Sequence, residues 1–132
     1  MTTASNSEQS AEEIIKNRKA LFSKNYNTAK KVQSLSSNGD FDDAKILMLE
    51  MSENYKNLKE MFPDNSKEGL KTESLPVIWE EKDAFNALMQ KASDDMIKLA
   101  KAIDTAEDLR AVQKDLMWNN CSACHNRFRA EH

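Results

Sequence analysis

Cys121 and Cys124 stand three residues apart, and His125 follows the second directly, giving Cys121-Ser122-Ala123-Cys124-His125. Side chains at i and i+3 of a helix project from one face. Two thiols so placed can reach neighbouring points on the edge of one flat ligand, and the adjoining imidazole can turn under its centre. That is the chemistry of covalent haem attachment: each thiol adds to a vinyl group to form a thioether, and His125 becomes the proximal iron ligand. Other chemistries also use closely spaced cysteines. A structural zinc site needs four ligands, and beyond these three the only further histidine is His132. A redox pair of the thioredoxin kind needs a strand leading into the helix that carries it, and no strand pattern precedes Cys121. A coincidence without chemistry is the remaining alternative. A disulfide framework would need wider spacing to constrain much of the chain.

The elements that must position these residues read as helices. The chain has 132 residues, enough for one domain with one core, and only two Gly and two Pro to punctuate the backbone. Strong helix formers dominate, while Val and Ile are sparse. Residues 1–9 read as a flexible tail and 10–132 as a single bundle. Ser10 with Glu13 forms a capping-box pattern. A first stripe follows at Ile14, Ile15, Leu21, Phe22, Tyr26, Ala29, Val32 and Leu35, stopped at Gly39. Asp40 is expected to cap a second helix whose stripe runs from Ala44 to Phe62, with Pro63 ending it. Ile46 and Leu49 fall off that stripe, either as scattered surface residues or as a contact between subunits. Pro76 opens a third helix reaching Ile103, and Thr105 with Asp108 looks like the cap of a fourth. The fourth stripe is Leu109, Val112, Leu116, Met117, Cys121, Cys124 and Phe128. The expected fold is all-α, an antiparallel four-helix bundle with covalently bound haem.

Charge and hydropathy exclude other classes. Acids and bases are interspersed and the formal net charge is −3, unlike the basic stripe of a nucleic-acid binder. No apolar run is long enough to span a bilayer. Met1 to Ser10 is polar and lacks the apolar core of a signal peptide, which fits either a cytosolic protein or a mature form with its leader replaced by Met1.

Three segments resemble the cytochrome c prime family (class II c-type cytochromes), over about residues 11 to 130. Lys16-Asn17-Arg18-Lys19-Ala20-Leu21-Phe22 is similar to a family pattern of Tyr-Arg followed by an apolar distal position. Pro76-Val77-Ile78-Trp79 is similar to the Pro-x-Ile-Trp that opens the third helix. Cys121 through Arg129 is similar to C-x-x-C-H-x-x-x-R. The resemblance implies one haem c held by Cys121 and Cys124, with His125 on the iron. It places Arg18 beside the haem propionates, where charge-assisted pairing is physically sensible. It places Lys19, Glu73, Trp79 and Phe85 along the haem and Arg129 near its proximal face. The plainer readings are a solvated charge for Arg18, a core residue for Phe22 and a helix-terminal charge for Arg129.

Phe22 occupies the position that faces the iron from the distal side, where low-spin relatives place Met. Phe cannot ligate, so the resemblance implies a five-coordinate, high-spin iron that binds nitric oxide and carbon monoxide. The wall around Phe22 shows no hydrogen-bond donor, so dioxygen, which needs one, is expected to bind poorly. The alternative function is one-electron transfer between redox partner proteins. A peroxidase would need a distal acid–base residue, and none is visible near Phe22, so the chain reads as no enzyme. The resemblance further implies a periplasmic location and a homodimer packed through the first two helices.

Overall fold

The computed structural model describes residues 10–69 and 72–130. The expected flexible tail, residues 1–9, and His132 lie outside the described residues. Within them the chain forms four helical rods arranged as an antiparallel bundle, with no strand beyond an isolated bridge between Ser74 and Arg129.

Helix α1 spans Ala11–Ser37. Ser10 caps it, its Oγ accepting from the Glu13 N–H at 3.1 Å while its hydroxyl donates to Glu13 Oε1 at 3.2 Å. The far end is a Schellman turn: Asp40 N–H donates to Leu35 O (2.8 Å) and Gly39 N–H to Ser36 O (3.1 Å). Gly39 takes φ 80°, which a Cβ would strain. The same turn explains why Asp40 makes no side-chain cap bond to α2, Phe41–Lys59, contrary to expectation. Its backbone, at φ −84° and ψ 62°, is committed to the turn and is not extended as a capping residue requires. Asp42 and Asp43 in the first turn of α2 offer negative charge to the helix dipole instead.

Helix α2 ends three residues before Phe62, and a 3₁₀ turn at Asp64–Ser66 follows Pro63. The third rod is broken, not continuous. Pro76 precedes a single turn, α3 (Val77–Glu80), and after Glu81, at φ −121° and ψ 50°, α4 runs Lys82–Ala102. Tertiary bonds on both sides hold the break: Arg127 pairs with Glu81, and Lys82 Nζ donates to Phe62 O at 2.8 Å. The fourth rod starts at Leu109, with α5 spanning Leu109–Gln113. Its cap is Asp108, whose Oδ1 accepts from Ala111 N–H at 3.1 Å, while Thr105 sits in the preceding turn. A π turn at Lys114–Trp118 then leads into α6, Asn119–Phe128. Gln113, Met117, Asn120, Cys124 and Phe128 all face inward along this rod.

The core between α2 and α4 is rich in methionine. Met48, Met51 and Leu58 pack against Met89, Met96 and Leu99, all essentially inaccessible, and each contributes about 1.5–3 kcal/mol by leaving water. Ser52 and Ser93 satisfy each other inside it at 2.8 Å. On α1 the inward positions are Ile15, Arg18, Asn25, Ala29 and Val32, with Phe22 half-buried. Tyr26, expected to face inward, is 50% exposed because Asn25 takes the inward place. Its ring meets Trp118 edge-on at 6.0 Å, under the Lys30 ammonium.

Candidate functional site

One end of the bundle encloses a cavity of about 630 Å³. Helix α1 packs on α2, and α6 packs on α3 and α4, so α1 and α6 approach the cavity from different sides. Its walls bring together Arg18, Lys19, Phe22, Glu73, Phe85, Cys121, Cys124, His125 and Arg129. Trp79 does not line it. Its ring stands behind Phe62, edge-on at 5.7 Å, and its Nε1 donates to Pro63 O at 3.1 Å.

On α6 both cysteines are free thiols facing the cavity. Burial, with Cys121 as neighbour, pushes Cys124 up to about 12. Burial also raises Cys121, partly opposed by its contact with the Tyr55 hydroxyl at 3.9 Å, and it raises Tyr55 well above the usual phenol range. Thiols held protonated in this way differ from the ready thiolate of a redox pair. Among the described residues no three His, Cys, Asp or Glu side chains gather into a metal cluster. His125 lies one position beyond Cys124, with Arg129 Nη1 3.0 Å from each ring nitrogen.

The loop before α3 is fastened to the end of α6 by backbone. Leu75 N–H donates to Phe128 O (2.9 Å) and Ala130 N–H to Glu73 O (2.7 Å). This clamp carries Glu73 to the cavity rim, where its carboxylate is 4.0 Å from Arg129 Nε.

Arg18 is not the solvated charge of the plainer reading: it is wholly buried. Its Nη1 donates to Met61 O (3.2 Å) and Ser66 Oγ (2.7 Å), and its Nη2 to Ser66 O (2.7 Å) and Thr72 Oγ1 (3.1 Å). Its Nε has no partner, and burial lowers the guanidinium to about 10. Among the described residues no carboxylate pairs with it. A buried cation without an anion is costly, and a ligand bearing carboxylates would complete it.

Apolar surface forms the rest of the wall. Phe22 meets Phe62 edge-on at 6.2 Å, and Phe85 links Phe62 (4.7 Å) to Phe128 (5.3 Å). Met89 adds a buried thioether. Two protonated thiols at helical spacing, an adjoining imidazole, an unpaired buried cation and aromatic walls suit a porphyrin bearing vinyl groups and propionates.

Residues not singled out from the sequence also line the cavity: Asn25, Tyr55 and Asn120. The register Ile15, Arg18, Phe22, Asn25, Ala29 could have flagged Asn25, since it continues a 3.5-residue period.

Asn120 is positioned through Asp95. Its Nδ2 donates to Asp95 Oδ2 (3.0 Å) and Leu116 O (3.1 Å), and Lys91 Nζ donates to Asp95 Oδ2 at 2.6 Å. Burial alone would raise the Asp95 carboxyl, but hydrogen bonds from Lys91 and Asn120, with the Lys91 and Lys98 charges, outweigh it and hold it below the usual carboxylate range. A carboxyl depressed in the folded state stabilises fully above its unfolded value, and that contribution is lost as pH falls through the folded value. Asp95→Asn is therefore expected to cost about 1 kcal/mol at neutral pH and to flatten the loss of stability below about pH 4. Urea midpoints measured across that range check it; an unchanged acid slope contradicts it.

A family model described as Cytochrome C' matches residues 13–129. A cytochrome c' from Rhodopseudomonas palustris is 30% identical over 122 residues, covering 90% of this chain and 83% of that protein. The solved cytochrome c' from the same species superposes with a TM-score of 0.73 at 26% identity, covering 89% of this chain and 96% of that one. A point variant of cytochrome c prime from Alcaligenes xylosoxidans, solved as its nitric oxide complex, gives a TM-score of 0.78 at 20% identity, covering 94% and 99%.

Proposed function

The chain belongs to the cytochrome c' family of haem proteins, and on that premise we propose that it carries one haem c and binds nitric oxide and carbon monoxide. Cys121 and Cys124 would hold the haem through thioethers, and the His125 imidazole would bind its iron. Arg18 would take a propionate and Arg129 would steady the imidazole from the α6 side. Bound here, the haem would supply an iron centre able to take up small diatomic gases.

The observation that carries this reading is Phe22 on the α1 wall. A phenyl ring has no lone pair to offer. Packed edge-on against Phe62, it gives that wall hydrocarbon and no ligating atom. The Alcaligenes xylosoxidans variant was solved with nitric oxide, which supports the same ligand class here. We read the protein as a binding protein and not an enzyme, because among the described residues of α1 no His, Asp or Glu lines the cavity to act as acid or base.

Met89 supports a second reading, one-electron transfer with redox partner proteins. Its thioether sulfur lies on the wall, and His/Met ligation suits an electron carrier. The absorption spectrum of the reduced protein, with and without carbon monoxide, separates the two. A five-coordinate, high-spin spectrum that changes on adding carbon monoxide is expected. A low-spin spectrum indifferent to the gas overturns gas binding and points to Met89. Intact mass is expected to equal the polypeptide plus one haem, and a bare polypeptide mass refutes attachment.

We further propose a periplasmic location, because the machinery that attaches haem to C-x-x-C-H works outside the cytoplasmic membrane in bacteria. Among the described residues no helix is long and apolar enough to cross a membrane. Ile46 and Leu49 are 64% and 52% exposed on α2 and are proposed as part of a homodimer contact. The native protein is expected to sediment as a dimer at micromolar concentration and the Ile46→Glu, Leu49→Glu double variant as a monomer. A sharp native monomer removes the contact.

A further inference from the structure

Asp95 is a buried charge with no part in the haem contacts described above. It lies on α4 and is 3% exposed. Its Oδ2 accepts from Asn120 Nδ2 at 3.0 Å, and Asn120 stands on the cavity wall immediately before Cys121. Both polar atoms of Asn120 are engaged. Nδ2 donates as well to Leu116 O at 3.1 Å, and Oδ1 accepts from Lys91 Nζ at 3.3 Å. One side chain of the wall therefore joins a carboxylate to the cavity. Serine or asparagine at position 95 would accept the same amide N–H without a charge. Burying a charge is costly, so the charge itself calls for a use. Asp95 is ionised at neutral pH, since the donors and ammonium groups around it hold its carboxyl below the usual range. Its two cations do not cancel it. The Lys91 and Lys98 side chains are 60% and 69% exposed, so water screens them, whereas the carboxylate is turned into the protein. Arg18, Lys19 and Arg129 bring positive charge to the cavity walls and Glu73 brings negative charge. Asp95 adds a second negative charge, behind the wall that α4 and α6 share.

Resting on the haem reading above, we propose that Asp95 sets the oxidation-state preference of the haem iron: its charge, held behind Asn120, favours the oxidised form. Oxidised iron carries one positive charge more than reduced iron, so a buried anion nearby stabilises it more. The step concerned moves one electron to the iron from an electrode or a one-electron donor, with no bond made or broken. Asn120 and Lys91 are the positioning residues. Asn120 ties the carboxylate to α6, and Lys91 reaches both Asp95 Oδ2, at 2.6 Å, and Asn120 Oδ1.

Redox titration of the haem-loaded protein and its Asp95→Asn and Lys91→Met variants tests this. Asparagine keeps the shape and an acceptor for Asn120 and removes the charge. At a fixed electrode potential the ratio of reduced to oxidised protein is expected to rise about threefold or more in Asp95→Asn. It is expected to fall in Lys91→Met, which strips a cation from the carboxylate. The signs separate charge from packing. A merely loosened wall would admit water, and water favours the more highly charged oxidised iron, so Asp95→Asn would then lower the ratio. A lowered or unchanged ratio in Asp95→Asn overturns the proposal, and so does a shift of both variants in one direction. Should Asp95→Asn fail to take up haem, Lys91→Met decides on its own, because that side chain is largely exposed: an unchanged or raised ratio overturns the proposal. An unmodified protein with no haem absorbance to titrate sinks the haem reading instead, and is distinguishable from each outcome above.

Discussion

Replacing Cys121 and Cys124 together with alanine is expected to abolish covalent attachment completely: the exported protein shows the bare polypeptide mass, and any haem present extracts into acidified organic solvent. The expectation rests on where α6 puts the two thiols. They lie three residues apart on one face, both protonated and both on the cavity wall, with Cys124 almost inaccessible. Each single variant is expected to retain one thioether, so its haem resists extraction while its absorption shifts towards that of a haem with one vinyl group intact. The pair also shapes stability. A haem filling a cavity of about 630 Å³ covers the aromatic walls, and a group that binds only the folded state raises stability by mass action. Tethered, the haem cannot leave, so the gain does not depend on free haem concentration. The double variant should therefore melt at a temperature that rises with added haem, while the unmodified protein should not respond. Haem that still resists extraction from the double variant would show attachment elsewhere.

Much of this arrangement was legible in the residue order, for reasons that also mark where legibility ends. Helices announce themselves through periodicity, and the stripes on α2 and α4 became the buried faces because nothing interrupts them. The short motif around Cys121 is readable because its chemistry depends on spacing within one helix. Three features escaped for physical reasons. The π turn in the last rod is made by backbone groups, so no residue type marks it. The clamp between Glu73, Leu75 and the end of α6 is likewise made by N–H and C=O groups, which every residue carries. Asn25 was overlooked because an amide in an apolar stripe reads as a gap, whereas its partner Asn54 is on another helix. Trp79 stands one layer behind the wall, because the short α3 turns its ring towards Pro63 and Phe62.

Arg18→Met is expected to destabilise the haem-loaded protein by about 3 kcal/mol, at the low end of what breaking a buried charged network costs. Methionine keeps the apolar stem and removes the head, so the loss isolates the guanidinium. That head does two jobs. It ties α1 to the chain between Met61 and Thr72 through Met61 O, Ser66 O, Ser66 Oγ and Thr72 Oγ1. It also lies over the Phe62 ring at 4.5 Å and the Trp79 ring at 5.5 Å, ordering the aromatic cluster behind Phe22. Removing it leaves two carbonyls and two hydroxyls short of a donor in a place water reaches poorly. Arg18→Lys should not rescue the variant, because a single ammonium cannot span a fork that serves Met61, Ser66 and Thr72 together. With a urea slope of about 1–3 kcal/mol per molar, the midpoint should fall by at least about 1 M in Arg18→Met and by a comparable amount in Arg18→Lys. The opposite sign is physically available: a buried cation whose ionised form is disfavoured enough to bring it to about 10 could be a net burden. An unchanged or raised midpoint in Arg18→Met would mean that desolvation outweighs the hydrogen bonds, and that neither the loop nor a propionate depends on this charge.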